Sequence, residues 1–127
     1  MIDHISLAVA DLAKSTEFYE AVLAPLGLAK LVAREGASTG FGKRYPEFWL
    51  NARPGIAPGP ETTGAHVCLR APSEDAVRQF HREALALGGR DAGAPGPRQA
   101  AFTTYFGAFI LDPDGNKIEA VNFPRAQ

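Results

Sequence analysis

Two histidines and one glutamate carry the chemistry that can be read in this sequence. His4 and His66 stand 62 positions apart (66 − 4), and each opens an alternating run. Ile5, Leu7 and Val9 share one face of the first run, with His4, Ser6 and Ala8 on the other; Val67, Leu69 and Ala71 share one face of the second, with His66, Cys68 and Arg70 opposite. The apolar faces call for a covering helix, so both imidazoles point away from it. Glu119 lies in the middle of a third run, on the face of Lys117, Val121 and Phe123, where a carboxylate needs a reason to be. Two imidazoles and one carboxylate on rigid strands are a donor set that divalent first-row metals favour. Cys68 is the only cysteine, which excludes an intramolecular disulfide and a cysteine-built zinc site and leaves histidine and carboxylate to hold any metal.

The elements that position these residues repeat. Asp11 is a good N-cap for a helix with Leu12, Tyr19, Val22, Leu23 and Leu26 at helical spacing, ended by Gly27. Ser73 likewise caps a helix carrying Val77, Phe80, Ala84 and Leu87, stopped at Gly88-Gly89. The same offset that lays His4 on His66 lays Phe18 on Phe80, Leu23 on Leu85 and Gly27 on Gly89, which is an internal repeat. After the first helix, strands are predicted over 29–34 and 48–52, separated by a glycine-containing loop through Gly42. After the second, strands are predicted over 101–105 and 108–111. Asp112-Pro113-Asp114-Gly115-Asn116 then makes a hairpin turn, and a strand returns over 117–123. Three prolines and two glycines mark 54–63 as the linker between the halves. Strand, helix and further strands, done twice, predict an α+β fold with helices on one side of each sheet and a groove on the other.

The 127 residues amount to one domain at ~150 residues per domain. With 46% hydrophobic and 21% charged residues, the chain can bury a core without staples. Thirteen basic against fourteen acidic residues, with no run of like charges, argue against nucleic acid or a membrane surface as partner. No apolar stretch approaches the ~18 residues of a bilayer span and the opening lacks a secretory pattern, so the expected location is cytoplasmic.

The stretches Asp3-His4-Ile5-Ser6-Leu7-Ala8-Val9, Asp11-Leu12 leading to Phe18-Tyr19, Leu26-Gly27, Gly64-Ala65-His66-Val67 and Asp112-Pro113-Asp114-Gly115-Asn116-Lys117-Ile118-Glu119 together resemble the vicinal oxygen chelate superfamily. That group includes glyoxalase I, extradiol dioxygenases, fosfomycin-resistance transferases and bleomycin-binding proteins. The resemblance covers essentially the whole chain. It implies two tandem βαβββ modules, about 1–55 and 64–127, whose curled sheets hold one divalent metal (Ni, Zn, Mn or Fe) in a concave groove. By motif position His4, His66 and Glu119 match metal ligands. Glu47 and Trp49 are both candidates by register for the fourth position, and the choice of Glu47 also places Asn51 where glyoxalase I carries a glutathione-binding Asn.

The resemblance implies a lyase or isomerase acting on a small substrate chelated through adjacent oxygens, with Glu119 or Glu47 moving the proton. The family's glutathione-binding Arg falls here on Ala8, and Arg53, Arg70 and Arg98 are the candidates to replace it. Tyr45, Trp49 and Tyr105 are expected to line the groove. Cys68 reads as a small buried thiol, and His81 as a solvated or helix-packed residue. Two other activities fit the same resemblance: a drug-sequestering protein of bleomycin-resistance type, and an Fe(II) extradiol dioxygenase. A homodimer is expected, because the family often builds its groove from modules of two chains.

Overall fold

A computed structural model describes residues 1–60 and 63–124. Strand β1 (Ile5–Val9) leads into helix α1 (Leu12–Leu23), followed by strands β2 (Ala29–Arg34), β3 (Ser38–Gly42) and β4 (Phe48–Ala52). The order then repeats as β5 (Val67–Arg70), α2 (Glu74–Ala86), β6 (Arg90–Gln99), β7 (Thr104–Leu111) and β8 (Lys117–Asn122). Both predicted caps form: the Asp11 carboxylate accepts from the Lys14 amide at 3.1 Å, and the Ser73 hydroxyl from the Ala76 amide at 3.0 Å. The first helix stops at Leu23 rather than running to Leu26. Pro25 has no amide hydrogen to continue the ladder, so Ala24–Leu26 tightens into a 3-10 turn closed by Gly27 at φ 85°.

Each module makes a four-stranded sheet of the same order, β1-β4-β3-β2 and β5-β8-β7-β6. The first strand pairs in parallel with the last of its module and the other pairs are antiparallel. This is the expected pair of βαβββ modules. Two local expectations fail. The glycine-containing loop is strand β3, buried along its whole length. Gly40 pairs with Trp49, and a Cβ there would meet the Trp49 ring at 3.1 Å and Pro46 Cβ at 2.8 Å, so the glycine is the clearance that lets an indole lie on the sheet. In module two, residues 101–103 are bends and β7 runs unbroken from Thr104 through Gly107 to Leu111, where two short strands were expected. Its partner β6 carries prolines and register shifts, which an edge strand tolerates.

The helices pack on each other, and Phe18, Tyr19, Phe80, Val22 and Val77 join residues of both sheets in one core. The predicted turn also ties the modules. Its Asp114 carboxylate accepts from the Ala10 amide at 2.9 Å, and the Asn116 side-chain amide donates to the Ala8 carbonyl at 3.1 Å. Of the expected linker, residues 61 and 62 lie outside the described residues, and the rest carries neither helix nor strand. No helix among the described residues is long and apolar enough to cross a membrane.

Candidate metal and substrate cleft

The parallel pairing of β5 with β8 sets Cys68 beside Glu119, and His66 stands one step before β5. From there its Nε2 lies 3.1 Å from one oxygen of Glu119, while the Tyr105 hydroxyl donates to the other oxygen at 3.1 Å. Glu119 is 4% exposed, so both carboxylate oxygens are answered in a site nearly shut from water. Two cis donors on a metal with bonds of about 2.0–2.2 Å are about 3 Å apart, and the histidine–glutamate separation matches that edge. Burial first, and then the bond to Glu119, raises the Tyr105 phenol, which therefore keeps its proton and remains a donor. Cys68 is exposed on its edge strand and lines the cleft instead of being buried. Its thiol is pushed up to about 12, first by partial burial and then by Glu119, which removes it as a nucleophile at neutral pH.

Module one repeats the arrangement with a different carboxylate. His4 Nδ1 lies 2.8 Å from Asp3, and the Tyr45 hydroxyl donates to the other Asp3 oxygen at 3.1 Å. The bond from His4, and next that from Tyr45, holds the Asp3 carboxyl below the usual carboxylate range. Asp3 escapes sequence reasoning, and Tyr45 was expected only as apolar lining. The available signal was the adjacency of Asp3 to His4, since a ligating imidazole commonly has its second nitrogen held by a carboxylate.

His4, Glu47 and His66 line a common cleft of about 530 Å³, with Asp3, Tyr45 and Cys68. Among the described residues, no three of His, Cys, Asp and Glu stand close enough to ligate one ion. The pair His66 and Glu119 is thus in contact, and His4 and Glu47 face the same space without touching it. Register separates the two fourth-position candidates. Trp49 pairs with Ser6 as Glu119 pairs with Cys68, and Ser6 and Cys68 are themselves repeat partners. Trp49 therefore occupies in module one the place of Glu119 in module two. Glu47 sits two residues earlier, just before the strand, where its carbonyl accepts from the Ile5 amide at 2.9 Å.

Trp49 and Asn51 line a neighbouring hollow of about 430 Å³ that shares His4 with the cleft. Tyr105 is not on that hollow; its hydroxyl is committed to Glu119. None of the three arginines considered as anion partners lines either hollow. Arg53 donates to the Ala52 carbonyl at 2.7 Å, Arg70 lies over Phe123 at 5.2 Å, and Arg98 donates to the carbonyls of Gly96, Ala94 and Gly107. His81 is buried in helix α2, with Nε2 2.8 Å from Asp91, away from either hollow.

A family model described as the Glyoxalase/Bleomycin resistance protein/Dioxygenase superfamily matches residues 1–120. A glyoxalase/bleomycin resistance protein from Albidiferax ferrireducens is 31% identical over 94% of this chain and 97% of its own, with a TM-score of 0.81. A family enzyme from Burkholderia phytofirmans, at 16% identity, shares the fold with a TM-score of 0.70 over 97% of this chain and 98% of its own. A point variant of glyoxalase I from Zea mays, at 24% identity, aligns over 94% of this chain but 44% of its own, with a TM-score of 0.68. No curated protein matches the chain.

Proposed function

Because the chain belongs to the Glyoxalase/Bleomycin resistance protein/Dioxygenase superfamily, we propose that it is a glyoxalase-like, metal-dependent lyase or isomerase acting on a small oxygenated substrate. The observation that carries this reading is the contact between His66 and Glu119 at 3.1 Å, on a cleft that His4 and Glu47 also face. The donor set fits the group: imidazole nitrogens and carboxylates suit Ni, Zn, Mn or Fe, and the spacing of the pair fits cis ligation. His66 and Glu119 would hold the ion, and His4 is the third ligand that the resemblance implies, facing the same cleft with Glu47 but not within ligating distance of that pair. A divalent ion held there would supply Lewis acidity toward the substrate's oxygens.

The protein's own groups divide the remaining work. Tyr105 orients Glu119 and keeps one of its oxygens from turning. Asp3 fixes the His4 ring through Nδ1, which leaves Nε2 as the ligating nitrogen. Glu47 makes no side-chain hydrogen bond among the described residues. Its carboxylate is therefore the one able to take a proton from the carbon beside the substrate carbonyl and return it to the neighbouring carbon. The protein works on this reading as a cytoplasmic homodimer, in keeping with the family's habit of sharing the groove between two copies.

A second reading, a small-molecule binding protein of bleomycin-resistance type, is favoured by Trp49 lining the hollow next to His4. The Fe(II) dioxygenase reading gains nothing from His81, which is buried against Asp91. Elemental analysis of untagged, dialysed protein decides between the two favoured readings. Near-stoichiometric Ni, Zn, Mn or Fe that is lost in His66→Ala supports the metalloenzyme. No metal after reconstitution leaves the binding protein.

A further inference from the structure

We propose that the hollow beside His4 is a carboxylate-binding subsite anchored by Arg34. This inference rests on the reading above only for the identity of the substrate's reacting end. Arg34 ends strand β2 on the outer edge of the first sheet, and its guanidinium lies 5.4 Å from the centre of the Trp49 ring. The ring in turn lies against Gly40, where any Cβ would approach it to 3.1 Å. Gly40, Trp49 and Arg34 therefore form a stack, with the indole as a platform that restricts a side chain which would otherwise roam. A guanidinium held on an aromatic face keeps its edge N–H groups free, and that planar fork matches the two oxygens of a carboxylate.

The surroundings agree with an anion. Among the described residues no carboxylate lies within ion-pair distance of Arg34. Arg53 and Arg98 are committed to carbonyls, and Arg70, which lies over Phe123, is not on this hollow. Ser6, Ser38 and Asn51 line the same hollow, and their side chains make no hydrogen bond among the described residues. They are open partners on the same hollow as Arg34. The one carboxylate on the hollow, Asp3, is already held by His4 and Tyr45. At about 430 Å³ the hollow suits a small organic acid, and its shared wall at His4 lets one molecule place its carboxylate on Arg34 and its oxygenated end in the cleft.

The chain contains a single tryptophan, so emission from Trp49 reports on the hollow alone. The probe is glutarate, titrated in excess EDTA, with its neutral diamide, inorganic phosphate and sulfate in parallel. A saturable change with glutarate and none with the diamide is expected. Arg34→Gln should weaken apparent affinity at least about tenfold, Arg34→Lys should fall between, and Arg53→Gln should match the wild type. Equal affinity in Arg34→Gln, an equal response to the diamide, or tighter binding of phosphate or sulfate would overturn the proposal. Thermal melts confirm that each variant is folded. EDTA removes divalent metal, so failure here leaves the metal reading intact, and absence of metal in the elemental analysis leaves glutarate binding intact.

Discussion

Tyr19 on α1 donates a 2.6 Å hydrogen bond to Asp112 at the end of β7, across 93 positions of sequence. Asp112 is 1% exposed and also accepts from the amides of Asp114 and Asn116, so one carboxylate closes the turn of module two and holds the helix of module one.

Removing the Tyr19 hydroxyl in Tyr19→Phe leaves a buried carboxylate lone pair unanswered and should cost about 1–3 kcal/mol in denaturant melts. The pH dependence has a definite sign. Burial first, and then Asp112, holds the native Tyr19 phenol well above its ordinary 10.0. Above that pH the unfolded chain loses a proton that the folded chain keeps, so stability is full below 10.0 and declines as pH rises beyond it. Tyr19→Phe should lose that residue's share of the alkaline slope, and an unchanged slope would contradict the assignment.

Glu47, which lines the cleft, and Glu119, buried behind His66, should separate in their effects. Glu119→Gln should abolish metal retention, whereas Glu47→Gln should keep the metal and lower turnover by about 10²–10⁴-fold, the usual loss of a proton-transfer group. Elemental analysis paired with an isomerase assay reads both; metal loss in Glu47→Gln would make it a ligand instead.

Tyr105→Phe leaves one oxygen of Glu119 without its donor. Metal affinity should fall by about 10–100-fold, the usual cost of losing a partner behind a ligand, and stability by about 1–3 kcal/mol for the buried oxygen left without a donor. Competition with a chelating dye measures the first quantity. Wild-type affinity would show that the 3.1 Å contact does not orient Glu119.

Gly40→Ala places a methyl 2.8 Å from Pro46 Cβ and 3.1 Å from the Trp49 ring. The ring must lift, at a cost of about 1–3 kcal/mol, and Trp49 emission should shift toward that of a more solvated indole. A variant with wild-type emission would show that the neighbouring loop, not the ring, gives way.

Much of this protein was legible in the order of its residues. Alternation along 3–9, 65–71 and 117–123 assigned the faces that carry His4, His66 and Glu119, and Asp11 and Ser73 marked the helix starts. Asp112 to Asn116 announced its turn. Those signals are local, because each depends on neighbours within a few positions along the chain. Pairing between distant segments decided the rest. Strand β3 looked like a loop because its glycines have poor strand propensity, and their purpose, clearance beneath Trp49, belongs to another strand. Which of Glu47 and Trp49 pairs with Ser6 is a two-residue matter of register that leaves the face unchanged and that composition does not encode. The commitments of Asp3 to Tyr45, of Arg98 to the Gly107 carbonyl and of Arg34 to an indole likewise arose only when the strands paired and brought those side chains within reach. The sequence set the faces and the turns through local geometry, while tertiary packing, by choosing partners across the sheets, decided which polar groups are bound to one another and which stay open to a ligand.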